Sequence, residues 1–469
     1  MSTLATAPTM EQVPQTDEAM PRYSRTAVIP LPNPIPIPIP VFAGSRIPIW
    51  KQDPTVADPG IRMTFIPTFV FDGPMDNRIR TELAGITPVH ANSSRDFLFA
   101  AGTPQFDCSH SFAVVRETLT MYQRIRGGIP LPWAWNTGGN TDPLTIFPRA
   151  GVTANAFYSR AQKSLNFFYF TPTGATAPVF TCRSLDIVAH ECGHAVLDGM
   201  KPGWLGGGPP QTGGLHESFG DLTALFLACS QLDQVEAAIA ASKANLHDPT
   251  LFLSALAEQF GLALGFPHGL RNADNDLKLS QVGNEVHAIS QVFTGGIYDT
   301  LADIFAFERN IQAATKDLAR ILLEVASRLH KLLVDALLLA PAVGATYADV
   351  VNQMLTISHM QGDPPIYRTF LRNRFTLREV VVSPTPLNAM WEGRVDMTNA
   401  NFTDGEDLLN LKAHKHASDR APQNRSRCCG TMQLPEFTVV ESKRLQTGAC
   451  VTQNDLLATE VVELRKAFK

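Results

Sequence analysis

Along residues 184–200, SLDIVAHECGHAVLDGM, the apolar side chains Leu185, Val188, Ala189, Cys192 and Val196 recur at helical spacing. A helix turns about 100° per residue, so these fall on one face while His190 and His194 share the opposite one. The stretch is predicted to be a helix packed on one side and carrying two imidazoles on the other. Helical spacing also runs through Val115, Leu119 and Tyr122 in residues 112–125, and through residues 217–232, 251–264, 286–307, 311–339 and 347–357. Residues 62–70 and 96–101 are short, apolar and aromatic, which predicts strands, and residues 155–170 read as a hairpin ending in the run FFYF. Residues 367–382 suggest a further helix and strand, and residues 454–469 a short amphipathic helix.

Between these elements, glycine and proline punctuate residues 127–144 and 201–214, predicting loops. Residues 29–49 largely alternate proline with isoleucine or leucine, a pattern that blocks helix and sheet ladders and favours an extended arm laid over the body. Residues 1–26 and 414–429 are polar and expected to be flexible. The expected organisation is a proline-rich arm over 1–59, an α/β half over 60–200, a mainly helical half over 201–365, and a partly flexible extension over 366–469. No internal repeat is found.

Charge narrows the choice of partners. A net charge of −5 and a pI near 6.2 leave no electrostatic footprint for nucleic acid or anionic lipid. Glu11, Asp17 and Glu18 stand where a secretory signal would place an apolar run, and no stretch reads as a membrane span. A cytoplasmic location, or export by a route that reads no such signal, is therefore expected. The seven cysteines lack a repeating spacing, which favours reduced thiols, and Cys192 on the apolar helix face is expected to be packing. His414, His416, Cys428 and Cys429 match no metal spacing and are read as part of a flexible tail.

The chemistry lies on the polar face. His190, Glu191 and His194 form HExxH, and two imidazoles one turn apart can converge on one zinc ion, while Glu191 reaches a water beside the ion without being a ligand. Downstream, Glu217 and Asp221 stand four residues apart in ExxxD. Glu217 can complete a His2Glu set with one position left for water, and Asp221 can hold a ligand histidine through its second ring nitrogen.

HExxH, 22 intervening residues and ExxxD together resemble the gluzincin metallopeptidases, specifically the thermolysin group and its fungalysin relatives. NAFY, from Asn155 to Tyr158, is similar to the edge strand that lines the family's cleft, and NEVHAISQVF to the helix carrying its transition-state histidine, here His287. The resemblance covers roughly residues 100–360. It implies an α+β, two-lobed fold: a mixed β-sheet N-terminal lobe, a mainly α-helical C-terminal lobe, and the HExxH helix between them. It further implies a zinc endopeptidase acting on peptides or proteins, with His190, His194 and Glu217 as metal ligands, Glu191 as general base and His287 as oxyanion donor. Asn155 and Ala156 would hold the substrate backbone, Arg271 would be a substrate contact, and Ile187 would line the pocket after the scissile bond. Without the resemblance, His287 reads as an ordinary core histidine.

The chain departs from the family at several points. The aspartate that supports the transition-state histidine is replaced by Val282, with Asn284 and Glu285 as possible substitutes. The loop after HExxH holds Trp204 but no tyrosine. Asp186 stands at a calcium-ligand position, but its companion is Ala228, so the double calcium site is expected to be absent. Two alternatives follow. One is a gluzincin aminopeptidase, which normally has an 18-residue gap and a GxMEN motif. The other is a zinc-containing peptide-binding protein that has lost turnover.

Overall fold

The computed structural model describes residues 44–54, 60–205, 208–266 and 269–380. The arm before residue 44, the polar stretch at 414–429 with its histidines and cysteines, and the helix expected at 454–469 lie outside the described residues.

The chain enters through β1 (Ser45–Trp50), paired antiparallel with β2 (Ile61–Ile66). The proline alternation was expected to exclude a ladder, yet Pro48 sits opposite Met63 while Ile47 and Ile49 are buried beneath. A two-stranded pair has an outer side on which the missing N–H of a proline costs no bond. Residues 96–101 form no strand: Phe97 N donates one backbone bond to Arg46 O, and the Asp96 carboxylate takes the Arg46 guanidinium. After β3 (Ile79–Thr81) comes α1 (Pro104–Ile125), longer than its apolar stripe predicted. It is capped by Thr103, whose side chain accepts from Phe106 N.

The main sheet adds β4 (Leu144–Phe147), β5 (Ala156–Ser159) and β6 (Ser164–Phe167) in the order β3-β4-β6-β5. β3, β4 and β6 run parallel, and β5 returns antiparallel to β6 as the predicted hairpin. That leaves β5 at the sheet edge, packed on α2 (Leu185–Met200). A small pair, β7 (Tyr169–Phe170) with β8 (Val179–Phe180), leads into α2, where Ser184 Oγ accepts from Ile187 N.

Beyond α2 the described chain is mainly helical. α3 (Pro210–Cys229) starts earlier than expected and absorbs the end of the glycine-rich loop, with Pro210 in its first turn and Gly214 against Tyr347 Oη and Ile289, where any Cβ would collide. The sequence reading missed α4 (Leu232–Ser242). Residues 251–264, expected as one helix, break into a 3-10 turn, β9 (Ala255–Leu256) and the short α5 (Glu258–Ala263). Pairing with β10 (Arg271–Asn272) and the left-handed Ala257, at φ 50°, override the apolar spacing. The long α6 (Val286–Gln312), α7 (Leu318–Leu339), α8 (Tyr347–Met360) and α9 (Pro365–Leu377) complete the body, and no strand follows α9 as far as residue 380.

Buried side chains from Ile47 to Val380 form one contiguous core that spans both the sheet and the helices. Cys108, Cys182, Cys192 and Cys229 are all buried and unbridged. No helix among the described residues is long and apolar enough to cross a membrane.

The end of α2 is held by a backbone contact. A Cβ on Gly199 would lie 1.9 Å from the Pro132 carbonyl oxygen, which belongs to the loop after α1. Gly199→Ala is therefore expected to cost about 1–3 kcal/mol, read as a lowered midpoint in thermal unfolding followed by circular dichroism.

Candidate metal centre

α2 and α3 meet through glycine. A Cβ on Gly193 would come 3.2 Å from Gly220 Cα and 2.6 Å from Thr223 Oγ1, and a Cβ on Gly220 would sit 2.6 Å from His190 Cε1 and Nδ1. This approach carries Glu217 on α3 up to the imidazoles of α2. His190 Nε2 lies 3.5 Å from Glu217 Oε2, and His194 Nε2 lies 3.5 Å from Glu217 Oε1. Ligand atoms of His190, Glu191 and His194 all fall within 4.8 Å of one another.

His190 Nε2, His194 Nε2 and both Glu217 oxygens are buried without a hydrogen bond. Leaving such groups unsatisfied costs about 1–3 kcal/mol each. Two ligand atoms bound tetrahedrally to one zinc ion at 2.0–2.1 Å stand about 3.4 Å apart, so the spacing and chemistry of these donors fit a shared cation.

Each imidazole is held from behind, but by different groups. His190 Nδ1 is 3.0 Å from Asp221 Oδ1. Asp221 in turn receives Arg271 Nε at 2.9 Å and Arg271 Nη2 at 2.6 Å. Arg271 leaves β10 buried, and its guanidinium is directed at Asp221. Burial alone would raise the Asp221 carboxyl, but the charges of Arg271 and His190 hold it at about 2. Burial likewise pulls His190 down, and is outweighed by the Asp221 and Glu217 carboxylates, which lift it to about 9. Glu217 is lowered despite its burial by His287, His190 and Arg271.

Behind His194 stands His216, with the two Nδ1 atoms 2.8 Å apart. One of them must donate and the other accept. Burial pushes His216 down to about 3, and burial with the neighbouring imidazoles keeps His194 well below its usual value, so the pair is neutral. The sequence reading passed over His216. Its only signal was its place immediately before Glu217 on a helix.

His287 opens α6. Glu285 caps that helix, accepting from His287 N at 3.1 Å and Ala288 N at 2.8 Å, and its Oε1 also lies 2.6 Å from His287 Nδ1. The other ring nitrogen, Nε2, faces the cluster 3.3 Å from Glu217 Oε2. Burial lowers the His287 pKa, but the Glu217 and Glu285 charges leave it raised, while Glu285 is held at about 2 against its own burial. Glu285 is thus the carboxylate beside this ring, where the sequence has only Val282 five residues upstream.

The structure gathers His190, Glu191, His194, Glu217, Asp221, Arg271 and His287 into one buried cluster. Asn155 and Ala156 lie at the start of β5, where Asn155 Oδ1 accepts from Ala156 N at 2.8 Å. Ile187 is buried in the core. Trp204 is also buried, its indole donating to Pro341 O, and Tyr158 donates its hydroxyl to Asp198. Asp186 is buried near Asp53, and burial together with the Asp53 charge raises its pKa well above the usual carboxyl range.

Support behind a metal-bound imidazole is commonly worth about 10–100-fold in affinity. If the cluster holds zinc, Asp221→Ala is expected to weaken its binding by that order, read by competition with a chromogenic chelator.

The chain matches no known family profile and no curated protein. Among solved structures, it superposes on the precursor of protealysin, a metalloproteinase from Serratia proteamaculans, with a TM-score of 0.40. Identity is 14%, over 60% of this chain and 80% of that one, a superposition too loose to assign a fold. On its own residues, the chain is a mixed α+β protein with an HExxH-based candidate metal centre.

Proposed function

We propose that the protein is a zinc-dependent endopeptidase, with His190, His194 and Glu217 as metal ligands. The observation that carries this reading is the set of four buried, unbonded donor atoms spaced about the Glu217 carboxylate. When bound, zinc supplies a Lewis acid that acidifies water and polarises a carbonyl.

The chain's residues divide the remaining work. Glu191 takes a proton from the attacking water as its oxygen adds to the scissile carbonyl carbon, then returns that proton to the departing amine as the C–N bond breaks. His287 turns Nε2 toward the cluster and donates to the oxygen that gains charge, while Glu285 holds its Nδ1 and favours the protonated ring. Asp221, clamped by Arg271, keeps the His190 ring aimed at the ligand position. A peptide laid along β5, the edge strand beside α2, would meet Asn155 and Ala156 as an added strand. In this reading the sheet-bearing half and the helical half form two lobes with α2 between them, within the boundaries the sequence suggests.

A second reading, a zinc-containing peptide binder without turnover, draws on the loop after α2. That loop has no tyrosine, and the Trp204 indole is tied to Pro341.

Hydrolysis of an internally quenched peptide separates the two readings. The endopeptidase reading expects Glu191→Gln to lose about 10²–10⁴-fold in kcat/KM, and His287→Ala about 10²–10³-fold, with chelation abolishing turnover. Equal signal from the protein and from Glu191→Gln would sink it, and no hydrolysis above background from either would leave the binder. Removing the Glu285 charge lowers the pKa of His287, so Glu285→Gln is expected to move the alkaline limb of the kcat profile to lower pH.

A further inference from the structure

A second group of ligating side chains lies away from the HExxH centre. His247 follows α4, Asp274 follows β10, and Asp299 lies in α6, twelve residues beyond His287 and so about 18 Å farther along the helix axis. One ligand atom from each falls within 4.8 Å of the other two.

The two ends of this group are satisfied unequally. Asp299 Oδ2 receives Arg378 Nη2 at 2.8 Å, with Arg374 Nη1 at 3.6 Å. Arg374 is itself neutralised by Asp303, through Nε at 2.6 Å and Nη2 at 2.7 Å. Asp299 Oδ1 is buried with no hydrogen bond, on a residue only 3% exposed. Asp274 is 2% exposed, while the His247 side chain keeps 14% of its surface. His247 Nδ1 and Asp274 Oδ1 are 2.8 Å apart.

We propose that His247, Asp274 and Asp299 form a second divalent-cation site, distinct from the HExxH centre, that takes a zinc-like ion through one imidazole and two carboxylates. The imidazole favours a transition metal over calcium or magnesium, which prefer all-oxygen shells. The arginines do not bar the ion, because they hold one oxygen of Asp299 and leave the other. An ion here ties the segment after α4, the segment after β10 and the middle of α6 to one another. It acts as a clip between parts of the chain that are distant in sequence.

The test counts metal. The full chain is loaded with zinc, freed of excess ion by dialysis and measured by plasma mass spectrometry. The wild type is expected to hold two ions, His247→Ala one, and the His190→Ala/His194→Ala double variant one. His247→Gln and Asp299→Asn, each close in shape to the residue replaced, repeat the measurement should the alanine variant unfold. Equal metal content in the wild type and in a folded His247 or Asp299 variant would overturn the second site. One ion in the wild type and none in the folded His247 variant would support it while removing metal from HExxH, so the two assignments fail separately.

Discussion

The contact between α2 and α3 through Gly193 and Gly220 is the constraint from which the site follows. Side chains at either glycine would force the helices apart, and Gly220 also leaves room for the His190 ring. At that approach a carboxylate, two imidazoles and a supporting aspartate are buried together. Burial of this kind is costly unless every charge finds an opposite and every lone pair a partner. Part of that cost is offset where Asp221 meets both Arg271 and His190, while the Glu217 oxygens and the ring nitrogens facing them stay unbonded.

The same logic governs the start of α6. Glu285 satisfies the first free amides of that helix, where an anion is favoured by the helix dipole, and the same carboxylate fixes the His287 ring. One side chain thus ends the preceding loop, starts the helix and orients an imidazole toward a second carboxylate. The sequence places a valine five residues before His287, and the geometry recovers the missing support from a position two residues before it.

What could be read in advance was what repeats locally. HExxH and ExxxD each put two residues one turn apart on a single helix, so their shared face is visible from spacing alone, and the hairpin of β5 and β6 is equally local. What could not be read was set by partners far along the chain. Arg271 and Asp221 are 50 positions apart, and His194 and His216 are 22 apart. Residues 251–264 keep a helical rhythm but surrender it to a strand pair with Arg271 and Asn272, and a left-handed alanine marks the break. β1 shows the converse: a proline pattern hostile to ladders still pairs, because its isoleucines have a core to enter and Pro48 sits in a two-stranded pair that asks for no bond from it.

The unlike partners behind His190 and His194 make the two rings chemically unequal. A carboxylate pushes electron density into the first ring, whereas a neutral imidazole gives the second little. His194 is then the poorer electron donor, so a cation held between them retains more of its positive charge for an incoming carbonyl and is gripped less firmly on that side. A centre built this way would trade some hold on an ion for greater electrophilic strength.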